Sequence, residues 1–510
     1  IIARNGTNDN EKTVNPHKNW NNPQKSTHPT HRTRKRKVET TMKEQTDPCA
    51  REARIFATYP VPKALLTMAL PTVISQIIYV IYNMADTWFV GLTGDANTVA
   101  AVSLCLPVYN LMTGLSNLFG IGGASAMARA LGEHDRDKTR HCCAVAIWSA
   151  LAGAVAYAVL LALFQRPLLS VIGGDPSNLD YAVSYTTITM IFGAIPTILS
   201  SALAHLIRAT GASGQASVGL MLGALCNMGL DPLFMFVLLP PGQELVGAAV
   251  ATAIANTISL VYFVLCLRHG WHRGVYAVHP RWLKGQGRTV GEVFRSGLPS
   301  FLMVALNSVS NSFLNASIGA YGSSAALSGL GIVRKIDGLA YSVNQGITQG
   351  MLPIVAYCYT DGRWRRMRSV ITLAAASTIL FSLTCTLVSQ LWAEPLVAFF
   401  LNEPHTVAYG AAILRILSLA LPIYSGTFVI IAAFQAVGRT REPFGLCLLR
   451  RGSVDVLLQF AIRALGGGIE VVWATPITES FGLILGLVLL RRFWGTLKAQ
   501  EKGPIIHPLS

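Results

Sequence analysis

Read along its apolar runs, the chain offers as deep charged candidates the acids Asp86, Asp231, Asp337, Asp455 and Glu479 and the bases Arg334, Lys335 and Arg415. A charge at the centre of a lipid-embedded helix costs roughly 2.5–3.5 kcal/mol on insertion scales, so each is a candidate for function. Asp86 and Asp231 are joined by Asn227, one helical turn from Asp231, and by Thr252 in the next run. Two carboxylates, an amide and a hydroxyl form a hard oxygen set suited to a small cation such as Na⁺. Either carboxylate could instead carry a proton in a poorly solvated cavity. Na⁺ and H⁺ are therefore the two expected coupling ions, with no organic cofactor. The competing explanation is structural: Asp86 as a solvated interfacial residue, and Asp231 as a receiver of helix-end hydrogen bonds beside Pro232.

The remaining charges divide differently. Arg334 lies three residues before Asp337, a helical spacing that predicts mutual neutralisation. Arg415 is expected to snorkel or to bond a carbonyl. Arg334, Lys335 and Arg415 are read as the only deep bases. Tyr82, Asn307, Asn311, Asp337, Gln345 and Asp455 are candidates for lining a substrate path. His205 stands without a second metal ligand and reads as a satisfied polar residue. Gly120 to Gly123 and Gly346 to Gly350 lack the GxxxxGK[ST] pattern of a phosphate loop, and close helix packing explains them better. The nine cysteines form no CxxC pair, so neither metal nor disulfide is assigned to them.

These residues need lipid-spanning elements to hold them. Hydrophobic residues make up 52% of the chain and charged residues only 13%, well below the quarter usual in soluble proteins. Apolar stretches long enough for a hydrocarbon core, about 20 residues each, recur at 63–91, 97–122, 142–164, 181–205, 215–239, 245–267, 292–320, 324–352, 369–391, 406–433, 443–465 and 470–492. The expectation is an all-α polytopic membrane protein of twelve transmembrane helices. Arg129, Arg136, Lys138, Arg140, Arg268, Arg273, Arg281, Lys284, Arg288, Arg363, Arg365, Arg366, Arg368, Arg439 and Arg441 all fall in even-to-odd connections. The opposite connections hold Asp95, Asp175, Glu244, Glu394 and Glu403, with Arg166 and Arg463 as their few bases. By the positive-inside rule both termini are cytoplasmic. On that axis Asp86, Asn227, Asp231 and Thr252 share a depth in the outer half of the membrane; Asp86, for example, lies roughly 7–8 Å below the outer end of its span at 1.5 Å per residue. Pro71, Pro107, Pro196, Pro299, Pro353 and Pro422 lie inside spans, where they could bend a gating helix or form static kinks.

Of the 41 Lys and Arg residues, 13 lie in residues 1–63 and most others flank apolar runs. That pattern suits a membrane surface and argues against nucleic-acid binding. Residues 1–62 read as a polar, basic cytoplasmic segment. Within it Arg34 to Lys37 suggests a disordered tail rather than an address signal. Met42 is the first methionine, hence the expected native start, with residues 1–41 as upstream sequence.

The chain also repeats itself. Leu70-Pro71 matches Leu298-Pro299 at a shift of 228, as Gly91 and Gly94 match Gly319 and Gly322. Arg208-Ala-Thr-Gly211 matches Gln435-Ala-Val-Gly438 at 227, and Asp231 matches Asp455 at 224. Two parallel six-helix repeats follow: a first lobe at 63–267, a linker at 268–291, a second lobe at 292–492 and a cytoplasmic tail at 493–510. Position 314, opposite Asp86 in the repeat, is Leu.

Several segments resemble the multidrug and toxic compound extrusion (MATE) family. They include Pro71-Thr-Val-Ile-Ser with Asn83-Met-Ala-Asp86-Thr-Trp-Phe-Val-Gly91, and Ala128-Arg-Ala-Leu-Gly132-Glu-His-Asp. Arg208-Ala-Thr-Gly211, Asn227-Met-Gly-Leu-Asp231-Pro232 and Gly247-Ala-Ala-Val-Ala-Thr252 agree as well, as do Gly331 to Asp337 and Gln345 to Pro353. The likeness covers about residues 60–495. It implies V-shaped lobes and export of a lipophilic, cationic small molecule driven by Na⁺ or H⁺ entering at Asp86, Asn227, Asp231 and Thr252. The seventh span carries Asn307, Asn311 and Asn315 where some branches have Glu, so the chain looks like the branch often called DinF-like. A monomer in a bacterial cytoplasmic membrane is expected. A lipid-linked oligosaccharide flippase would call for more cavity bases, a major-facilitator transporter would lack the Asp86 and Asn227-to-Asp231 motifs, and a membrane enzyme would need an acid–base or metal cluster that the spans do not offer.

Overall fold

A computed structural model of the chain describes residues 54–502 except 93–95, 173–177, 241, 271–274, 284, 286, 322–323, 402 and 467. Met42, the Arg34–Lys37 run, Cys49, Gly94, Asp95, Asp175, Arg273, Lys284 and Gly322 lie outside the described residues.

Apolar runs in lipid must satisfy their backbone internally, which leaves the helix as the simplest solution. Among the described residues, twelve such helices form. The first lobe holds α1 (Val61–Gly91), α2 (Ala96–Gly132), α3 (Arg136–Ile172), α4 (Leu179–Thr186, a π-helical Thr187–Phe192 and Ala194–Ala209), α5 (Ser213–Leu238) and α6 (Glu244–Gly270). The second holds α7 (Gly287–Tyr321), α8 (Ser324–Thr360), α9 (Trp364–Leu391), α10 (Pro404–Ser418 with Ala420–Ala436), α11 (Arg441–Cys447, a π-helical Leu448–Ser453 and Val454–Ala464) and α12 (Ala474–Lys502). Eight of these are unbroken and strongly apolar, and α4 and α10 are bent by 49° and 40°. The other two, α8 and α11, are the helices that carry Arg334, Lys335 and Asp337, and Arg450, Arg451 and Asp455.

Helices run past the expected spans mainly where the chain is basic: α2 continues to Gly132, α3 begins at Arg136 and α8 reaches Thr360. The backbone keeps its helical bonds after the sequence turns polar, so apolar length underestimates helix length. Of the six prolines inside the expected spans, Pro71, Pro107, Pro299 and Pro353 sit in helices that continue through them. The two bends lie three residues before Pro196 and Pro422, at Gly193 and Leu419. A proline ring lacks the N–H that would bond four residues back and crowds that carbonyl. At Gly193 the N–H reaches Ile188 O instead, at 3.0 Å.

The repeat is visible in the fold. α4 and α10 both end at a glycine of positive φ, Gly211 at 96° and Gly438 at 79°. That conformation terminates a helix and disfavours side chains with a Cβ.

The lobes meet where α2 packs on α7 and α1 on α8. We call the end bearing Arg129, Arg140 and Arg363 the basic end. Near it the backbones touch: a Cβ added at Gly297 would overlap Leu118 O, one at Gly122 would overlap Val293 O, and one at Gly350 would lie 2.7 Å from Ala69. Cross-lobe bonds cluster there too. Ser125 Oγ donates to Gln435 O at 2.6 Å, Arg129 Nη1 donates to Ala436 O at 3.1 Å, and Arg129 Nη2 pairs with Glu292 at 2.7 Å. Asn110 Nδ2 donates to Ser308 Oγ at 3.0 Å nearer mid-depth.

The stretch before α1, read from sequence as polar, contributes to this closure. Phe56 is buried against Tyr357, and Arg363 and Arg366 of α9's leading turn donate to the carbonyls of Ala57 and Phe56.

Candidate functional site

The first-lobe site is built on α5. Asn227 and Asp231 lie one turn apart on one face, and Asn227 Nδ2 donates to Thr252 Oγ1 of α6 at 3.0 Å. Asp231 is fully buried, and among the described residues its two carboxylate oxygens and Asn227 Oδ1 lack a hydrogen bond of ordinary geometry, with the Asn227 amide close enough to bear on Asp231. Buried acceptors are almost always satisfied, because an unmatched one costs its desolvation in full. Three in one place make an oxygen-rich centre that lacks positive charge. Just beyond Pro232 the helix slackens into a π turn, Phe234–Leu238, a form frequent at functional sites.

Asp86 of α1 is half-buried and lies within electrostatic reach of Asp231 and of the Tyr82, Tyr109 and Tyr185 hydroxyls. A cavity of about 210 Å³ opens beside the centre, lined by Tyr82, Asn227, Thr252, Asn256 and Gln345, among others. Asp86 and Asp231 are not on this lining. His205 also faces the cavity, its Nδ1 3.2 Å from Arg208 Nη1.

The second-lobe site differs in part from expectation. Arg334 does not neutralise Asp337: its Nη2 donates to Asn311 O at 3.2 Å, while Asp337 Oδ1 is buried without a donor. Arg415 reaches outward as snorkelling predicts, its side chain 44% exposed, but among the described residues it meets Glu394 at 3.3 Å in place of a carbonyl. Arg334, Lys335 and Arg415 are not the only deep bases, because α11 carries Arg450 and Arg451 in its π-helical segment, with side chains only 3% and 16% exposed. Both meet Glu479 of α12, Arg450 Nε at 2.9 Å and Arg451 Nη2 at 3.3 Å. The missed signal was a basic pair in one apolar run facing an acid in the next.

Asp455 is fully buried and richly served. It accepts hydrogen bonds from Ser310, from Gln459 at 2.9 Å and from Thr478 at 3.1 Å, with Arg451 at 4.0 Å. A cavity of about 440 Å³ lies in front of it, lined by Asn307, Asn311, Asp337 and Gln345 together with the arginines and Glu479. Asp455 and Tyr82 are not on that lining. Thr113, Asn117, Gln345 and Gln349 border both cavities, so the two sites adjoin across the lobe interface. Among the described residues no group of three His, Cys, Asp or Glu side chains forms a metal cluster.

Comparison with known proteins agrees with this architecture. The MatE family profile matches the chain twice, over residues 71–233 and 299–460, and the two matches begin 228 residues apart. "Multidrug export protein MepA" of Staphylococcus haemolyticus strain JCSC1435 is 26% identical over 428 residues, covering 84% of this chain and 93% of its own. The protein of that name from Staphylococcus aureus strain MSSA476 is 26% identical over 437 residues, covering 85% and 94%. Among solved structures, "Outward-facing conformation of a multidrug resistance MATE family transporter of the MOP superfamily" superposes with a TM-score of 0.81 at 21% identity, covering 88% of this chain and 98% of that one. A MOP superfamily transporter from Pyrococcus furiosus gives 0.79 at 21% identity, over 88% and 98%. Two profile matches over most of the chain, on twelve helices in two lobes, identify the chain as a member of the MatE family of multi-pass membrane transporters, which are not enzymes.

Proposed function

We propose that this transporter exports amphipathic small molecules, lipophilic organic cations among them, in exchange for Na⁺ or H⁺ entering through the first lobe. The observation that carries the reading is the fully buried Asp231, whose two oxygens, among the described residues, lack a hydrogen bond of ordinary geometry and have only the Asn227 amide bearing on them, beside an unmatched Asn227 Oδ1. Either ion supplies what this centre lacks: Na⁺ would draw on Asp231, Asn227, Thr252 and Asp86, and a proton would neutralise Asp231 or Asp86. Relatives named multidrug export proteins over most of their length support the cargo class. Aromatic side chains at Tyr341, Tyr424 and Phe428, with Asp337 nearby, suit a lipophilic cation.

In this reading the basic end faces the cytoplasm of a bacterial cell, as the positive-inside rule requires. The backbone seam at that end then closes the cytoplasmic route and leaves the coupling centre accessible from outside. Ion entry favours reopening of the seam, and rocking of one lobe on the other alternates access. Each copy of the chain holds both cavities, so a monomer suffices.

Inside-out vesicles containing the purified protein test this. Loaded with high Na⁺ or with acid, imposed separately, they should accumulate a fluorescent cationic dye under one of the two gradients. Dye uptake equal to that of protein-free vesicles under both gradients would refute the proposal.

A further inference from the structure

We infer that the second-lobe cavity contains a subsite for an anionic group, so that the transporter takes amphipathic organic anions as well as cations. Three guanidinium groups, Arg334, Arg450 and Arg451, border this cavity. Their acid partners are few and occupied. Glu479 is almost fully buried and is shared by Arg450 and Arg451, so one carboxylate serves two cations. Asp455 is held by Ser310, Gln459 and Thr478 and lies behind the lining. Among the described residues Arg334 makes side-chain hydrogen bonds to the oxygens of Asn311 alone, at 3.2 and 3.4 Å, and forms no ion pair within 4.0 Å. Among the same residues Arg450 Nη1 and Arg451 Nε are buried N–H donors without an acceptor.

The cavity thus mirrors the first-lobe centre, presenting excess donors where the other presents excess acceptors. A carboxylate or sulfonate would give these donors charge-assisted bonds, and a guanidinium fork matches such groups in shape. The body of such a ligand has a place as well. Tyr424 and Phe428 are stacked at 5.5 Å, Tyr341 lies 5.3 Å from Tyr424, and the Arg450 guanidinium sits 4.7 Å over the Tyr424 ring. About 440 Å³ falls within the range of small-molecule sites, ~300–1,000 Å³. Asp337 is the one lining carboxylate outside any described ion pair, and it stands one turn from Arg334. It opposes anion binding.

This deepens the export reading and rests on it for transport, though not for binding. The test is equilibrium binding of 2-naphthalenesulfonate to the purified protein in phosphatidylcholine nanodiscs, followed by calorimetry, with 2-naphthylmethylammonium as the cationic control. Saturable sulfonate binding is expected, weakened roughly ten-fold or more by Arg334→Gln, the scale of one hydrogen bond to a charged group. Arg334→Lys should retain most of it. Asp337→Asn should tighten sulfonate binding several-fold, a gain that misfolding cannot produce. No saturable sulfonate binding, or equal affinities in wild type and Arg334→Gln, overturns the subsite.

Phosphatidylglycerol in the disc separates two sources of the anionic group. Competition with the sulfonate assigns the subsite to a lipid headgroup, and its absence assigns it to a soluble anion; both outcomes uphold the subsite. A protein that binds the sulfonate yet moves no dye under either gradient would refute export and leave the subsite standing.

Discussion

Asp231 and Asp455 occupy matching places in the two halves, both fully buried, and their surroundings could hardly differ more. Asp455 accepts three side-chain hydrogen bonds with Arg451 at 4.0 Å, whereas among the described residues Asp231 has no hydrogen bond of ordinary geometry, only the Asn227 amide bearing on it, and has a second acid, Asp86, within electrostatic reach. A buried carboxylate is costly unless it is paired or bonded. In the second lobe Asp455 meets that cost with partners from its own chain, Ser310, Gln459 and Thr478. In the first lobe the cost stands, and a mobile ion can relieve it. Duplication supplied the scaffold twice, and on the proposed coupling it is the copy with the uncompensated acid that exchanges an ion.

Substitutions at the two acids should therefore separate coupling from stability. Asp231→Asn is expected to abolish gradient-driven dye transport in vesicles while leaving the thermal unfolding midpoint unchanged or higher, since it removes an unmatched charge. Glu479→Gln should do the reverse first, lowering unfolding stability by about 3–5 kcal/mol, because Arg450 and Arg451 lose the acid they share. Adding Arg450→Met should recover part of that loss. Denaturant unfolding of the nanodisc-embedded protein measures both; a destabilised Asp231→Asn beside an unaffected Glu479→Gln would invert the comparison. Thr252→Val is the mildest change. Loss of one neutral oxygen, about 1 kcal/mol, should raise the ion concentration for half-maximal transport roughly five-fold. An unchanged ion requirement would remove Thr252 from the centre.

Much of this was readable from the residues alone. Twelve spans, the repeat at a shift of 228 and the grouping of Asn227, Asp231 and Thr252 follow from hydropathy, spacing and side-chain chemistry. The Asn227–Thr252 bond joins two of the four as expected. What escaped was partner choice. Spacing placed Arg334 within reach of Asp337, but a long side chain can take any neighbour, and Arg334 turned to α7. Arg450 and Arg451 were overlooked because the run around them is apolar on average, and their acid lies on another helix. The bends at Gly193 and Leu419 needed neighbouring helices to decide which prolines matter.

The glycine seam between Leu118 and Gly297 sets an energy scale for the whole machine. Backbone pressed on backbone offers dispersion and weak Cα–H contacts but little side-chain apolar area, so parting it exposes little hydrocarbon to water. An interlock of leucines and phenylalanines would hold the two orientations far apart in free energy. A membrane potential of 100 mV acting on one charge supplies only ~2.3 kcal/mol. On the proposed coupling, a gate driven by a single ion must be nearly balanced, and glycines such as Gly122 and Gly297 at the seam favour that balance.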